Sequence, residues 1–141
     1  LALSALAERP QRIRDLFLAK EVCQQGVFAC SLLFRGRWKS LYLDNFMPVP
    51  REEHSQNIFG CSMGLPSQLW VSVLEKAWAK LYGSYYAIEG GEVEEPLHDL
   101  TGAHCRFIRT RALDFDKADC WKHLLEATEL GFIVIAEAGL E

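Results

Sequence analysis

Apolar and polar positions between residues 69 and 83 recur with the period of a helix. Leu69, Trp70, Val73, Leu74, Ala77, Trp78 and Leu81 follow one another at three- and four-residue intervals, which sets them along one face. Gln68, Ser72, Lys76 and Lys80 fall on another face, expected to be solvated. Pro66 suits a first turn, where a missing N–H leaves nothing unpaired, and Gly83 stands where a left-handed closing residue is needed. The pattern predicts an amphipathic helix of about four turns. Two tryptophans on its apolar face bury a large area, so it is expected to be a central core element.

Around it the pattern changes several times. Residues 1–7 are rich in Ala and Leu and read as a buried helix, broken at Arg9-Pro10. Pro10 then opens a short second helix that carries Ile13, Leu16 and Phe17 inward. Residues 27–34 and 38–46 alternate and favour strands, with Arg35-Gly36-Arg37 as the tight connection of a hairpin. Residues 47–66 hold Pro48, Pro50, Gly60, Gly64 and Pro66 and read as a loop, with a brief pairing expected at 57–59. Residues 89–96 are acidic, contain glycine and read as a turn. A short strand is expected at 106–109. A helix over 117–130 follows, capped by Asp114 or Asp116 and bearing Trp121, Leu124, Leu125 and Leu130 as its apolar positions. Gly131 ends it, and the apolar run 132–136 suits a buried strand. The shift from a helix-rich half to a strand-helix-strand half places a boundary near Gly102.

Composition narrows the function. The chain has 141 residues, half of them hydrophobic, enough for one domain or part of a larger unit. The net charge is -4 and no basic patch stands out, so nucleic acid and anionic membranes are poor partners. The opening LALSALA is short and interrupted by Glu8, Arg9 and Pro10, so neither a membrane span nor a signal peptide is expected. Five cysteines, Cys23, Cys30, Cys61, Cys105 and Cys120, form an odd set in a chain with a good apolar core. That favours reduced thiols inside the cell over a disulfide framework. His98, His104, Cys105, Cys120 and His123 include one Cys-x-x-His spacing but no recurrent zinc pattern, and read as core cysteines and surface histidines. Glu92, Glu94 and Glu95 read as a solvated loop, with a weak calcium site as the minority alternative.

The residues themselves say more than their periodicity. The segment LWVSVLEKAWAKLYGSYYAIEGG resembles a block of calpain-type cysteine proteases. LSALAERPQRIRDLF resembles the stretch after that family's nucleophilic cysteine, and GRWKSLYLDNFMP its strand pair. HDLTGA is similar to its DLTGG, and KHLLEATELGF to the helix and strand leading towards its histidine. The blocks occur in the family's order over nearly the whole chain. The resemblance implies an α+β, papain-like protease fold of calpain type. Residues 1–102 are then the remainder of the first lobe, and residues 103–141 the truncated start of the second.

What the resemblance implies for chemistry is equally specific. A chain opening on Leu1 inside a family block is expected to be an excised fragment. The nucleophilic cysteine is expected before Leu1, the histidine and asparagine beyond Glu141, and no catalytic residue within the chain. On its own it is expected to be inactive. Gly90 and Gly91 match the glycine pair lining the family's substrate cleft, where a backbone without side chains lets a peptide lie close; the alternative is a turn that merely needs positive φ. Asp99 is expected to fix a turn between lobes through local hydrogen bonds or a simple Asx-turn. Gln68 replaces a glutamate that ligates calcium in the family, and its amide offers one neutral oxygen instead of a charged pair. The parent protein is expected to be a cytoplasmic, calcium-dependent endopeptidase that performs limited proteolysis on protein or peptide substrates. Further departures fall at Asn45, Tyr86, Ala103, Ile135 and Glu137, the last two beside the cleft. The substitutions at Gln68, Ala103, Ile135 and Glu137 motivate a second reading: a calpain-like module without activity, serving as a binding or regulatory scaffold.

Overall fold

The computed structural model of the chain describes residues 1–21, 23–48 and 69–137. Two short helices come first, α1 (Ala2–Ala7) and α2 (Pro10–Leu16), with Pro10 in the first turn of the second. Strands β1 (Val27–Phe34) and β2 (Arg37–Asp44) pair antiparallel in the register Phe34↔Arg37 through Val27↔Asp44. Arg35 and Gly36 link them with φ of 51° and 73°. Two successive left-handed residues match the twist of the strands, so the hairpin closes as the spacing predicts. Helix α3 (Trp70–Tyr82) follows, then a single 3-10 turn at Tyr86–Ile88, α4 (Glu94–Thr101) and α5 (Lys117–Glu129).

The core forms where α1, α2, α3 and α4 converge on one face of β1. Leu6, Ile13, Leu16, Cys30, Leu32, Val73, Leu74, Ala77 and Leu100 are buried together, and Trp70 and Trp78 pack against them half-buried. The predicted apolar stripe of α3 is therefore the seam of the fold. Gly83, in the left-handed region at φ 99°, ends that helix by donating its N–H to the Ala79 carbonyl. The 69–71 end differs from expectation only in that Pro66 and Gln68 lie outside the described residues, as does the pairing expected at 57–59.

The second face of α3 is solvated only in part, with Lys80 exposed and Lys76 half-buried. Ser72 is buried, and Lys76 and Lys80 reach across to β2. The Lys76 ammonium donates to the Asp44 carboxylate at 2.6 Å and to the Phe46 carbonyl at 2.5 Å. Lys80 donates to the Tyr42 carbonyl at 2.6 Å. The lysines thus serve strand carbonyls that a third strand would otherwise take, a common way to blunt a sheet edge.

Three further expectations need correction. Residues 94–96 begin helix α4 instead of continuing a turn, because Glu94, Glu95 and Pro96 all suit a first helical turn. Gly102 closes that helix at φ 71°, where an added Cβ would sit 3.2 Å from the Trp38 ring of β2. Residues 106–109 and 132–136 belong to no strand. A strand needs a neighbour to satisfy its backbone, and neither segment has one among the described residues. Helix α5 forms as predicted, with Asp116 accepting from the N–H groups of Ala118 and Asp119. Its apolar positions nonetheless stay open: Trp121 is 63% exposed and Leu130 70%. No residue of α5 is buried.

Candidate functional site

Residues 83–93 connect α3 to α4, and the glycine pair lies at the far side of this connection. Both Gly90 and Gly91 are exposed. Gly91 has φ 152°, a region essentially reserved for glycine, and an added Cβ would meet only Glu95 Oε2 at 3.7 Å. A Cβ on Gly90 would meet nothing within 4 Å. Among the described residues neither the N–H nor the carbonyl of Gly91 is bonded to other backbone. The arrangement therefore offers an unobstructed donor and acceptor to an extended chain laid beside it.

The two ends of the connection are tied together at Asp99. This residue of α4 is 6% exposed. Its Oδ2 accepts from Trp78 Nε1 and from the Tyr82 hydroxyl, each at 2.7 Å. The expected local turn is thus replaced by two bonds reaching back to α3. Tyr82 is further held edge-to-face by Phe34 at 5.4 Å and by Trp78 at 5.3 Å. Burial, the Asp99 bond and charge, and the Glu95 charge push its phenol up to about 12. Within the connection, Ser84 Oγ accepts from the Ala87 N–H at 3.1 Å and Ile88 N–H donates to the Tyr85 carbonyl.

Two of the described thiols, Cys30 and Cys105, stand where a thiolate is disfavoured. A reactive cysteine needs its thiolate favoured by a neighbouring positive charge or a histidine. Cys30 is fully buried and desolvation pushes its thiol up to about 12. Burial and the Glu94 charge also raise Cys105. Cys23 donates to the Gln25 side chain at 3.0 Å. Two histidines meet backbone carbonyls, His98 Nδ1 that of Ala103 at 2.9 Å and His123 Nδ1 that of Asp119 at 2.8 Å. Cys61 lies outside the described residues.

Cation donors are similarly dispersed. Among the described residues no three His, Cys, Asp or Glu side chains converge enough to hold a metal ion. Gln68 lies outside the described residues. An open groove of about 420 Å³ runs between residues 106–109 and the start of α5, with Arg106, Phe107, Arg109, Asp116, Cys120 and His123 on its walls. Of the other departures noted in the sequence, Asn45 packs under Gly26 at the base of the hairpin, where an added Cβ would come within 2.8 Å of its amide. Tyr86 is 86% exposed on the 3-10 turn, Ile135 is half-buried and Glu137 exposed. Sequence reading missed the Asp99 junction and the two lysines of α3. The closing Gly102, the acidic first turn and the Leu97–Leu100 spacing were the available signals for α4; the pairing across space had none.

Comparison with known proteins converges on one family. The pattern described as calpain family cysteine protease matches residues 1–140. The calpain-type cysteine protease DEK1 of Zea mays is 33% identical over 138 residues, which is 95% of this chain and 6% of that protein. Calpain-14 of Homo sapiens is 35% identical over 103 residues, 73% of this chain and 14% of its own length. Calpain clp-1 of Caenorhabditis elegans is 34% identical over 83 residues, 59% of this chain and 10% of its own. The chain therefore spans a small part of the relatives it matches.

Proposed function

This chain belongs to the calpain family of cysteine proteases, and we propose that it supplies the middle of a calcium-dependent endopeptidase core whose Cys-His-Asn triad lies outside residues 1–141. Residues 1–102 complete the first lobe after the nucleophile, and residues 103–141 begin the second. The observation that supports this most is Gly91. Its open backbone, at φ 152° with only the Glu95 carboxylate nearby, is suited to pairing with an extended peptide substrate.

In this reading the preceding cysteine attacks a peptide carbonyl. The following histidine takes the thiol proton and returns it to the leaving amine, and the asparagine orients the imidazole. This chain's own residues bind and align: Gly90 and Gly91 receive substrate backbone, and α3 and β1 give them a rigid base. The substrates are proteins cut at few sites, in the cytoplasm. Calcium dependence rests on the family resemblance, with Gln68 in a glutamate's place; the described residues gather no donor set, and no step is assigned to the ion.

The test is peptide cleavage by the full-length protein with and without calcium, beside variants that replace the upstream cysteine by alanine and Gly91 by valine. Calcium-stimulated cleavage lost in both variants supports the reading. Peptide binding without cleavage at any calcium concentration overturns it in favour of the scaffold, the reading that Gln68, Ala103, Ile135 and Glu137 motivate.

A further inference from the structure

Residues 83–93 carry the glycine pair. The Ser84 hydroxyl, the single 3-10 turn, the half-buried Tyr85 and Val93 at the edge of the core hold parts of the segment, and helices α3 and α4 flank it. Tyr82 is the last residue of α3 and Glu94 the first of α4. One oxygen of Asp99 joins these helices through Trp78 and Tyr82, whose rings stand one helical turn apart and in edge-to-face contact. Trp78 and Tyr82 are neutral donors to a carboxyl group that is almost wholly buried, and such bonds are stronger than neutral pairs and sharply directional. Glu95, one turn before Asp99 on α4, carries its carboxylate to 3.7 Å from where a Gly91 Cβ would stand, and its charge also reaches Tyr82.

Building on the cleft role proposed for the glycine pair, we infer that Asp99, with Trp78 and Tyr82 as its donors, is the positioning group that sets the Gly90–Gly91 backbone for substrate. It touches no substrate itself. Its two bonds hold the body of α4 against the last turn of α3, and thereby the span that residues 83–93 must bridge. If that span loosens, the Gly91 N–H and carbonyl lose a fixed direction while the rest of the core stays closed. Loss of such alignment weakens a contact made equally in ground and transition states, so it raises KM and leaves kcat.

The experiment uses the full-length protein and three variants: Tyr82→Phe, which deletes one donor and keeps the ring, Asp99→Asn, which keeps an acceptor oxygen, and Asp99→Leu. Peptide cleavage gives KM and kcat, and amide hydrogen exchange is followed in residues 83–93 and in β1–β2. Tyr82→Phe is expected to raise KM roughly tenfold with kcat changed less than about twofold. It is also expected to speed exchange in residues 83–93 while β1–β2 stay protected. Asp99→Asn is expected to recover most of both readouts relative to Asp99→Leu. Unchanged exchange and unchanged KM in Tyr82→Phe overturn the inference. So does a loss of protection throughout β1–β2, which marks a general structural role. A full-length protein that cuts no peptide refutes the protease reading alone, and exchange in residues 83–93 still decides the positioning role.

Discussion

Lys76 of α3 and Asp44 of β2 meet at 2.6 Å, joining the central helix to the last residue of the hairpin. The lysine is mostly covered and the aspartate is exposed. Hydrogen bonds from Lys76 first, and from the Phe46 N–H next, hold the Asp44 carboxyl below its ordinary 3.8. The stabilisation from this depressed group is present above the ordinary value. It is lost as pH falls through the lower value of the folded state. Acid titration of stability between about pH 5 and 2 is therefore expected to show a loss that Lys76→Met reduces, the Phe46 bond remaining. High salt is expected to shrink the loss, since one partner is in solvent. An identical acid profile in Lys76→Met would show that the pair does not contribute.

Tyr82 responds at the other end of the scale. Its phenol is raised from 10.0 to about 12, so its contribution is intact below pH 10 and is lost as pH rises through about 12. Wild-type stability is expected to fall over that range more steeply than that of Tyr82→Phe. Guanidinium midpoints measured at intervals across the range check this.

The glycine pair makes a contrast within two residues. Gly91→Val forces a branched side chain into φ 152° and is expected to cost about 1–3 kcal/mol while abolishing peptide binding. Gly90→Ala meets open space and carries no such backbone demand, so its effect on stability is expected to be within about 0.5 kcal/mol. Denaturant melts and peptide titration on the same preparations separate the two.

In the core, Leu74 is 1% exposed and sits between α3 and β1. Leu74→Ala is expected to cost about 2–5 kcal/mol, the range for a leucine truncated where neighbours cannot close in. Asp116→Ala, which strips the cap of α5, is expected to cost about 0.5–2 kcal/mol. If the order of these losses were reversed, the core described here would not be what holds the fold.

Alkylation distinguishes the thiols. Cys30 is buried with its thiol raised to about 12, and Cys23 is partly open. At about pH 8, native protein is expected to be labelled at Cys23 long before Cys30, and denatured protein at both. Mass spectrometry of the labelled peptides reads the result.

How far the sequence announces this structure depends on whether a feature is local. The α3 stripe, its closing Gly83, the Arg35-Gly36 hairpin and the Asp116 cap are set by residues within a few positions of one another, and all form as the pattern predicts. Helix α4 was hidden because Gly90, Gly91 and three glutamates mimic a turn, and because eight residues give little periodicity. Lys76 and Lys80 looked solvated because a lysine's destination depends on which strand its helix meets. Asp99 is the clearest case: its donors stand 21 and 17 positions earlier, and nothing in HDLTG points to them. For the site, the glycine pair was visible through family resemblance, while the groups that hold it were not.

The Arg12 guanidinium of α2 donates to the Gly131 carbonyl at 2.7 Å, and an added Cβ on Gly131 would come within 2.9 Å of the Arg9 guanidinium. These partners are 119 positions apart, whereas the hairpin closes over a two-residue turn. Contacts between distant positions must wait for a large loop to close, so they form late and set the pace of folding. On a ribosome, α1, α2 and the hairpin are complete before residue 131 has been made. For that interval the Arg12 guanidinium lacks the Gly131 carbonyl, and the early half of the chain waits for a partner that only the late half supplies.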